Sequence, residues 1–283
     1  EDGIRVKECD WSSDVCSSDL SDLLLTRFDD RGDAGRIAHL TVNNPARRNA
    51  LGIAGKRAIA ATFDKLAQDE TLRAAVITGA GDKSFIAGAD IHEMKDLSPE
   101  EAEVEHTLTH VANEAIRAFP VPVIARINGY CLGFGMELAA ACDLRVGADT
   151  AKFGMPEVRV GVPSGMEAVL LPKLVGWGKA AELVYTGDII DAAEAYRIGF
   201  LQKLVPAAEL DAAVEQWLAS ILLGGKRVMR LQKTLLRDWE RLPVEDGIWA
   251  GIRACVESRR TDEPKRMMEA FINRKTHFAA NKK

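Results

Sequence analysis

A short apolar strand that runs through glycines into an acid-bearing helix restricts this 283-residue chain more than any other feature. Val123-Ile-Ala-Arg-Ile127 reads as the strand, and Asn128-Gly129 breaks it. Gly133-Phe134-Gly135 then opens a helix with Glu137 just inside it, followed by the apolar run Leu138-Ala-Ala-Ala-Cys142. A second acid, Glu157, follows a Met155-Pro156 turn and precedes Gly161-Val-Pro163. Two carboxylates held by glycine- or proline-shaped turns beside a hydrophobic strand form a pair, and paired carboxylates are common equipment for proton transfer.

The rest of the pattern agrees with an α/β layering. Segments 22–28 and 35–42 read as two strands of a hairpin. Residues 53–68 carry Ile59, Phe63 and Leu66 at helical spacing. A short buried strand at 74–78 ends at Gly79-Ala-Gly81, and a long helix at 99–119 stops at Pro120-Val-Pro122. Residues 144–146 form a further short strand. After Gly165 the chain is mostly helical, at 165–174, 178–186, 191–198, 207–222, 225–239, 244–259 and 262–275. Strand–helix alternation predicts an α/β core. The all-helical stretch from 207 to 283 predicts a separate C-terminal module.

Bulk composition excludes several classes. With 47% hydrophobic and 28% charged residues the chain has ample core material. A pI near 5.7, without a basic helix face beside stacking aromatics, gives no footprint for nucleic acid. No apolar run approaches a membrane span. Five cysteines without CxxC or Cys/His spacing argue against a zinc site and a disulfide framework. A reducing compartment, the cytoplasm, is the expected location. The first twenty residues, rich in Ser and Asp, lack the basic start and apolar stretch of a signal peptide. They resemble a translated sequencing adapter and are expected to stand outside the fold. Without them the chain has 35 basic against 36 acidic side chains, so most of the net charge of −5 belongs to this leader.

Three motifs point elsewhere and are set aside. Gly133-Phe-Gly135 lacks the third glycine of a dinucleotide turn, because Leu138 stands there. Ser164 in Gly161-Val-Pro-Ser164-Gly165 is one position late for a nucleophile elbow, and no histidine follows until His277. His106 and His110 share a helix face at metal-compatible spacing, but no HExxH frame surrounds them.

Phe85-Ile-Ala-Gly-Ala89-Asp90-Ile-His92-Glu-Met94, the glycine turn with Glu137, and Met155-Pro-Glu157 with Gly161-Val-Pro163 together resemble the crotonase (enoyl-CoA hydratase/isomerase) family. Asn43-Asn-Pro-Ala-Arg-Arg48-Asn49-Ala50-Leu51 is similar to the family's CoA-side loop, and 186–206 to the segment that closes the core. The resemblance runs from about Leu23 to the C-terminus. It implies a ββα spiral core over 21–206 with the helical module 207–283 packing against neighbours. It also implies an acyl-CoA thioester whose carbonyl oxygen faces the backbone N–H groups of Ala89 and Phe134. Arg48, Ala50, Ala87, Gly88, Asp90, Ile91, His92 and Gly133 are the implied CoA and substrate contacts. Arg274 and Lys275 are candidates to approach a neighbouring subunit's CoA.

The chemistry behind the implied site is general. Attack at the β-carbon of an unsaturated thioester pushes negative charge onto the thioester oxygen, where fixed N–H donors stabilise it. Glu137 and Glu157 would hold one water, one taking its proton and the other supplying the α-carbon. Retention of both acids favours hydration over double-bond isomerisation, dehydration of a specialised hydroxyacyl-CoA, or a silent acyl-CoA-binding homologue. No metal or redox cofactor is implied, CoA being part of the substrate, and a homotrimer or a dimer of trimers is expected. Where many hydratases continue with Pro-Gly-x-Gly-Gly, this chain has Pro163-Ser164-Gly165-Met166-Glu167, so its acyl pocket is expected to differ.

Overall fold

Between residues 72 and 154 successive strands of this chain alternate between two sheets. The computed structural model describes residues 22–280. The expected leader lies outside the described residues, as do the side chains of Arg274 and Lys275. Strand β1 (Leu24–Asp30) pairs antiparallel with β2 (Arg36–Val42), and helix α1 (Ile53–Ala67) follows. Next come β3 (Leu72–Gly79), the short β4 (Ser84–Ile86), α2 (Ile91–Met94) and α3 (Pro99–Ala118). A second unit is β5 (Val123–Ile127), β6 (Tyr130–Leu132) and α4 (Phe134–Ala141), and a third opens with β7 (Leu144–Ala148) and β8 (Lys152–Gly154). Then come α5 (Leu171–Val175), α6 (Trp177–Thr186), β9 (Ile189–Asp191), α7 (Ala192–Arg197), β10 (Lys203–Val205) and α8 (Leu210–Leu222). The chain continues as α9 (Lys226–Arg241), α10 (Val244–Ser258) and α11 (Glu263–Ala280).

The larger sheet has the order β1-β2-β3-β5-β7-β10, parallel from β2 onward. The smaller has the order β4-β6-β8-β9. Each repeat therefore gives one strand to each sheet and then a helix, the ββα spiral expected from the resemblance. Strand β3 is buried along nearly its whole length, as a parallel strand covered on both faces must be. Asn128, at the corner between β5 and β6, donates to the carbonyls of Gly79 at 2.9 Å and Gly81 at 2.7 Å. Asn49 does the same for Ala80 and Ser84, so buried amides tie one turn of the spiral to the next.

Helix α1 buries Ile59, Phe63 and Leu66, and Phe63 meets Phe119 edge-on with centroids 5.1 Å apart. Ser98 and Glu101 form a reciprocal capping box at the start of α3, with Pro99 in the first turn. Helix α8, which opens the expected C-terminal module, lays Leu210, Val214, Leu218 and Ile221 into the same apolar cluster as the sheets. Arg73 of β3 donates to the Gly224 carbonyl just beyond it at 2.6 Å. Helices α9 to α11 are less enclosed: α10 buries only Gly247 and Ala250 and leaves Ile248, Trp249, Ile252 and Val256 exposed.

Two expectations need revision. The helix expected at 165–174 is a 3-10 turn, Met166–Leu170, followed by α5, with Pro172 in its first turn. The smaller sheet was not read from the residues at all. Tyr130–Leu132, between the Asn128-Gly129 break and Gly133, is its second strand, and Lys152–Gly154 and Ile189–Asp191 are two more. Three-residue strands are too short for alternation to register.

Candidate active site

Helix α4 fixes the first acid. Gly133, at φ 51°, turns β6 into the helix, and a Cβ there would stand 2.5 Å from Oε1 of Glu157. Gly135 rides against β4, where a Cβ would meet the Ile86 carbonyl oxygen at 2.1 Å. Neither position has room for a side chain. At the other end Arg145 donates to the carbonyls of Ala139 at 3.1 Å and Cys142 at 2.8 Å, where a helix C-terminus runs short of donors and favours a cation. Glu137 is 2% exposed, its Oε1 accepting from the Ala168 N–H at 3.2 Å. Burial, followed by the charges of Glu157 and Glu167, pushes its pKa up to about 8, against the opposing pull of the Ala168 N–H and Lys56.

Glu157 begins the 3-10 turn Glu157–Val160 directly after Pro156. Its Oε2 accepts from the Ser164 hydroxyl at 2.8 Å. Burial raises its pKa, while its own backbone N–H and Ser164 hold it down. Ser164, one position late for a nucleophile, thus anchors an acid. Each glutamate has one oxygen engaged by a protein donor, which leaves the other available to a water between them.

The donors lie close by. Leu51 donates to the Gly88 carbonyl and accepts from the Asp90 N–H, both at 3.1 Å, a bridge that turns the N–H of Ala89 to the opposite side. The N–H of Phe134 is the first of α4 and has no intrahelical acceptor. Among the described residues neither N–H has a hydrogen-bond acceptor. Ala89, Phe134, Glu137 and Glu157 all line one cavity of about 140 Å³. A polarised oxygen, two unpaired donors and two acids can meet there, which is the equipment for adding a proton and a nucleophile across a conjugated double bond.

Ala87, Gly88, Ile91 and Gly133 also line this cavity, whereas Arg48, Ala50, Asp90 and His92 do not. The Asp90 carboxylate is occupied in the loop itself, capping α2 through the His92 N–H at 3.0 Å and pairing with Arg47. His92 points from α2 as an exposed residue, and Arg48 lies 5.6 Å over the Tyr130 ring.

Several residues of the site were not read from the sequence. Lys56 and Glu105 form a buried ion pair on the cavity wall with Thr109 beside them. Glu167, 3% exposed, accepts from Asn113 at 2.9 Å and lies 2.7 Å from Nδ1 of His110, adjacent to the Ala168 N–H that holds Glu137. His106 and His110, which share a helix face at metal-compatible spacing, each stand beside one of these buried carboxylates. The signal was present: Lys56 shares the apolar stripe of α1 with Ile59 and Phe63, and Glu105 that of α3 with Leu108, Ala112 and Ile116. Charges inside two apolar stripes of helices that pack together mark a buried polar site.

The chain is similar to known proteins along most of its length. A family model described as enoyl-CoA hydratase/isomerase matches residues 32–281. The crotonyl-CoA hydratase of Syntrophomonas wolfei is 39% identical over 249 residues, covering 86% of this chain and 94% of that protein. A short-chain-enoyl-CoA hydratase of Clostridium acetobutylicum is 33% identical over 242 residues, covering 85% and 93%. Among solved structures, an enoyl-CoA hydratase from Mycobacterium smegmatis superposes with a TM-score of 0.84 at 29% identity, covering 89% of this chain and 96% of that one. One from Bacillus anthracis gives 0.83 at 28%, covering 88% and 96%. With the spiral fold, the acid pair and the match along most of its length, the chain belongs to the enoyl-CoA hydratase/isomerase family.

Proposed function

We propose that the protein is an enoyl-CoA hydratase, adding water reversibly and syn to a 2-trans-enoyl-CoA to give a 3-hydroxyacyl-CoA. The observation that carries this reading is the retention of two buried glutamates, each with one oxygen anchored and one unengaged, in the cavity that holds the Ala89 and Phe134 N–H groups. Two acids sharing so small a space do not both ionise readily, and the pair titrates as a unit. With Glu137 pushed up to about 8, the pair retains one proton near neutral pH. The ionised member draws a proton from the water as its oxygen attacks the β-carbon. The protonated member delivers to the α-carbon on the same face. Charge gathered on the thioester oxygen is met by two N–H donors that need no reorganisation. Addition of water changes no oxidation level overall, so the reaction calls for no redox cofactor, and CoA enters as the acyl carrier of the substrate.

Steady-state assay with crotonyl-CoA and with a 3-enoyl-CoA tests the reading. Formation of 3-hydroxybutyryl-CoA is expected. Movement of a 3,4 double bond without hydration would make the protein an isomerase, and no turnover of either would make it an acyl-CoA-binding homologue.

The working form is a homotrimer or a dimer of such trimers. The exposed apolar residues of α10, with Met267 and Met268 of α11, support it, since a helical surface of this kind finds a packing partner. Sedimentation at micromolar concentration should give a trimer or hexamer, and a monomer would refute it. The place of action is the cytoplasm, in acyl-CoA catabolism such as β-oxidation. No described helix is long and apolar enough to cross a membrane.

A further inference from the structure

One buried acid beside the cavity has no part in the water-sharing pair. Glu167 is 3% exposed and belongs to the 3-10 turn Met166–Leu170, which packs against both α3 and α4. Its side chain does not line the cavity. Both oxygens are held from α3, Oε2 accepting from Asn113 at 2.9 Å and Oε1 lying 2.7 Å from Nδ1 of His110. A buried carboxylate engaged at both ends fixes the turn that carries it. The next N–H along that turn, Ala168, donates to Oε1 of Glu137 at 3.2 Å and is shared with the Gly165 carbonyl at 2.9 Å. How much of it reaches Glu137 therefore depends on how the turn is held.

This contact decides where the proton of a neutral Glu137 sits. In a carboxylic acid the oxygen that accepts an N–H is the carbonyl oxygen, which leaves the hydroxyl on Oε2. Oε2 takes no protein donor, and Glu137 lines the cavity, so the proton is on the oxygen left to serve the α-carbon. The charge of Glu167 acts in the same sense: after burial, and together with Glu157, it favours the protonated Glu137 against the Ala168 N–H and Lys56 of α1. The other titratable groups packed here all come from α3. Glu105 stands between Lys56 and His106, and His110 is the exposed end of the Glu167 clamp. We propose that Glu167 is a positioning residue for hydration: clamped by Asn113 and His110, it aims the Ala168 N–H at one oxygen of Glu137 and sets a negative charge behind it, so that the transferable proton stays on the other oxygen. The proposal rests on the hydratase reading and deepens it.

Two variants of the full chain separate the charge from the clamp. Glu167→Gln removes the charge, while its oxygen can still accept from Asn113 and its amide can donate to His110. The upper limb of the kcat/KM profile for crotonyl-CoA hydration should move to lower pH by about half a unit or more, with KM at pH 6 unchanged. Glu167→Ala removes the clamp as well, so kcat at pH 6 should fall by about tenfold or more while Glu167→Gln keeps most of it. A residue that served the fold alone would scale activity by one factor at every pH and leave the limb in place. An unmoved limb in Glu167→Gln would overturn the proposal, and that profile decides by itself if Glu167→Ala does not fold. Undiminished kcat in a folded Glu167→Ala would overturn it equally. Failure of the wild type to hydrate crotonyl-CoA at all would instead overturn the hydratase reading beneath it.

Discussion

Replacing Glu137 by Gln should lower activity and raise stability at once, because one burial causes both. In the folded chain Glu137 titrates at about 8 instead of the ordinary 4.5, chiefly because it is out of water. Between those values the folded protein holds a proton that the unfolded chain has released. Stability therefore falls as pH rises, by about 1.4 kcal/mol per pH unit, reaching a few kcal/mol by pH 8. Glutamine keeps the acceptor for the Ala168 N–H at 3.2 Å and has nothing to ionise. The variant and wild type should melt together near pH 5 and diverge toward pH 8, the variant ending several degrees higher at about 2–4 °C per kcal/mol. Over the same range hydration of crotonyl-CoA should drop roughly 10²–10⁴-fold, the usual contribution of a positioned acid or base. Thermal melts at pH 5, 6, 7 and 8, beside steady-state kinetics, read both quantities. A variant no more stable than wild type at pH 8 would show that burial does not strain this carboxyl. Undiminished hydration would remove Glu137 from the chemistry.

Three further changes probe the same site. Glu157→Gln should also slow hydration by roughly 10²–10⁴ with little change in KM, and the double glutamine variant should lose less than the product of the single effects because both acids serve one water; multiplicative losses would refute the shared water. Ser164→Ala removes a donor to the ionised Glu157, a bond of about 1.5–3 kcal/mol, so the acidic limb of the kcat/KM profile should move up by about 1–2 pH units and Ser164→Thr should restore it; an unmoved limb would show the hydroxyl to be a bystander. Gly135→Ala would drive a Cβ into the Ile86 carbonyl, 2.1 Å away, and should cost about 1–3 kcal/mol in denaturant unfolding along with most activity, whereas a neutral result would mean that α4 can slide on β4.

The acid pair was legible because its surroundings are local. Gly133, Gly135 and the Met155-Pro156 turn are short-range signals, and the structure puts Glu137 and Glu157 in one cavity as their spacing suggested. Of the residues implied to contact CoA or substrate, Ala87, Gly88, Ile91 and Gly133 line the cavity, while the Asp90 carboxylate caps α2 and pairs with Arg47. A motif gives the position of a residue, and its partners can still absorb it.

By itself the sequence determined the long elements, the alternation of strand and helix, and the two turns that carry the acids. Each is written within a dozen residues as period, glycine or proline. Only the tertiary structure decided the second sheet, whose three-residue strands have no period of their own and exist because β4, β6, β8 and β9 pair across distant segments. It also decided the polar wall. Lys56 and Glu105 are 49 residues apart, and each alone is a charge misplaced in an apolar stripe. Packing α1 against α3 takes both from water together, so the ion pair and the raised pKa of Glu137 follow from long-range burial.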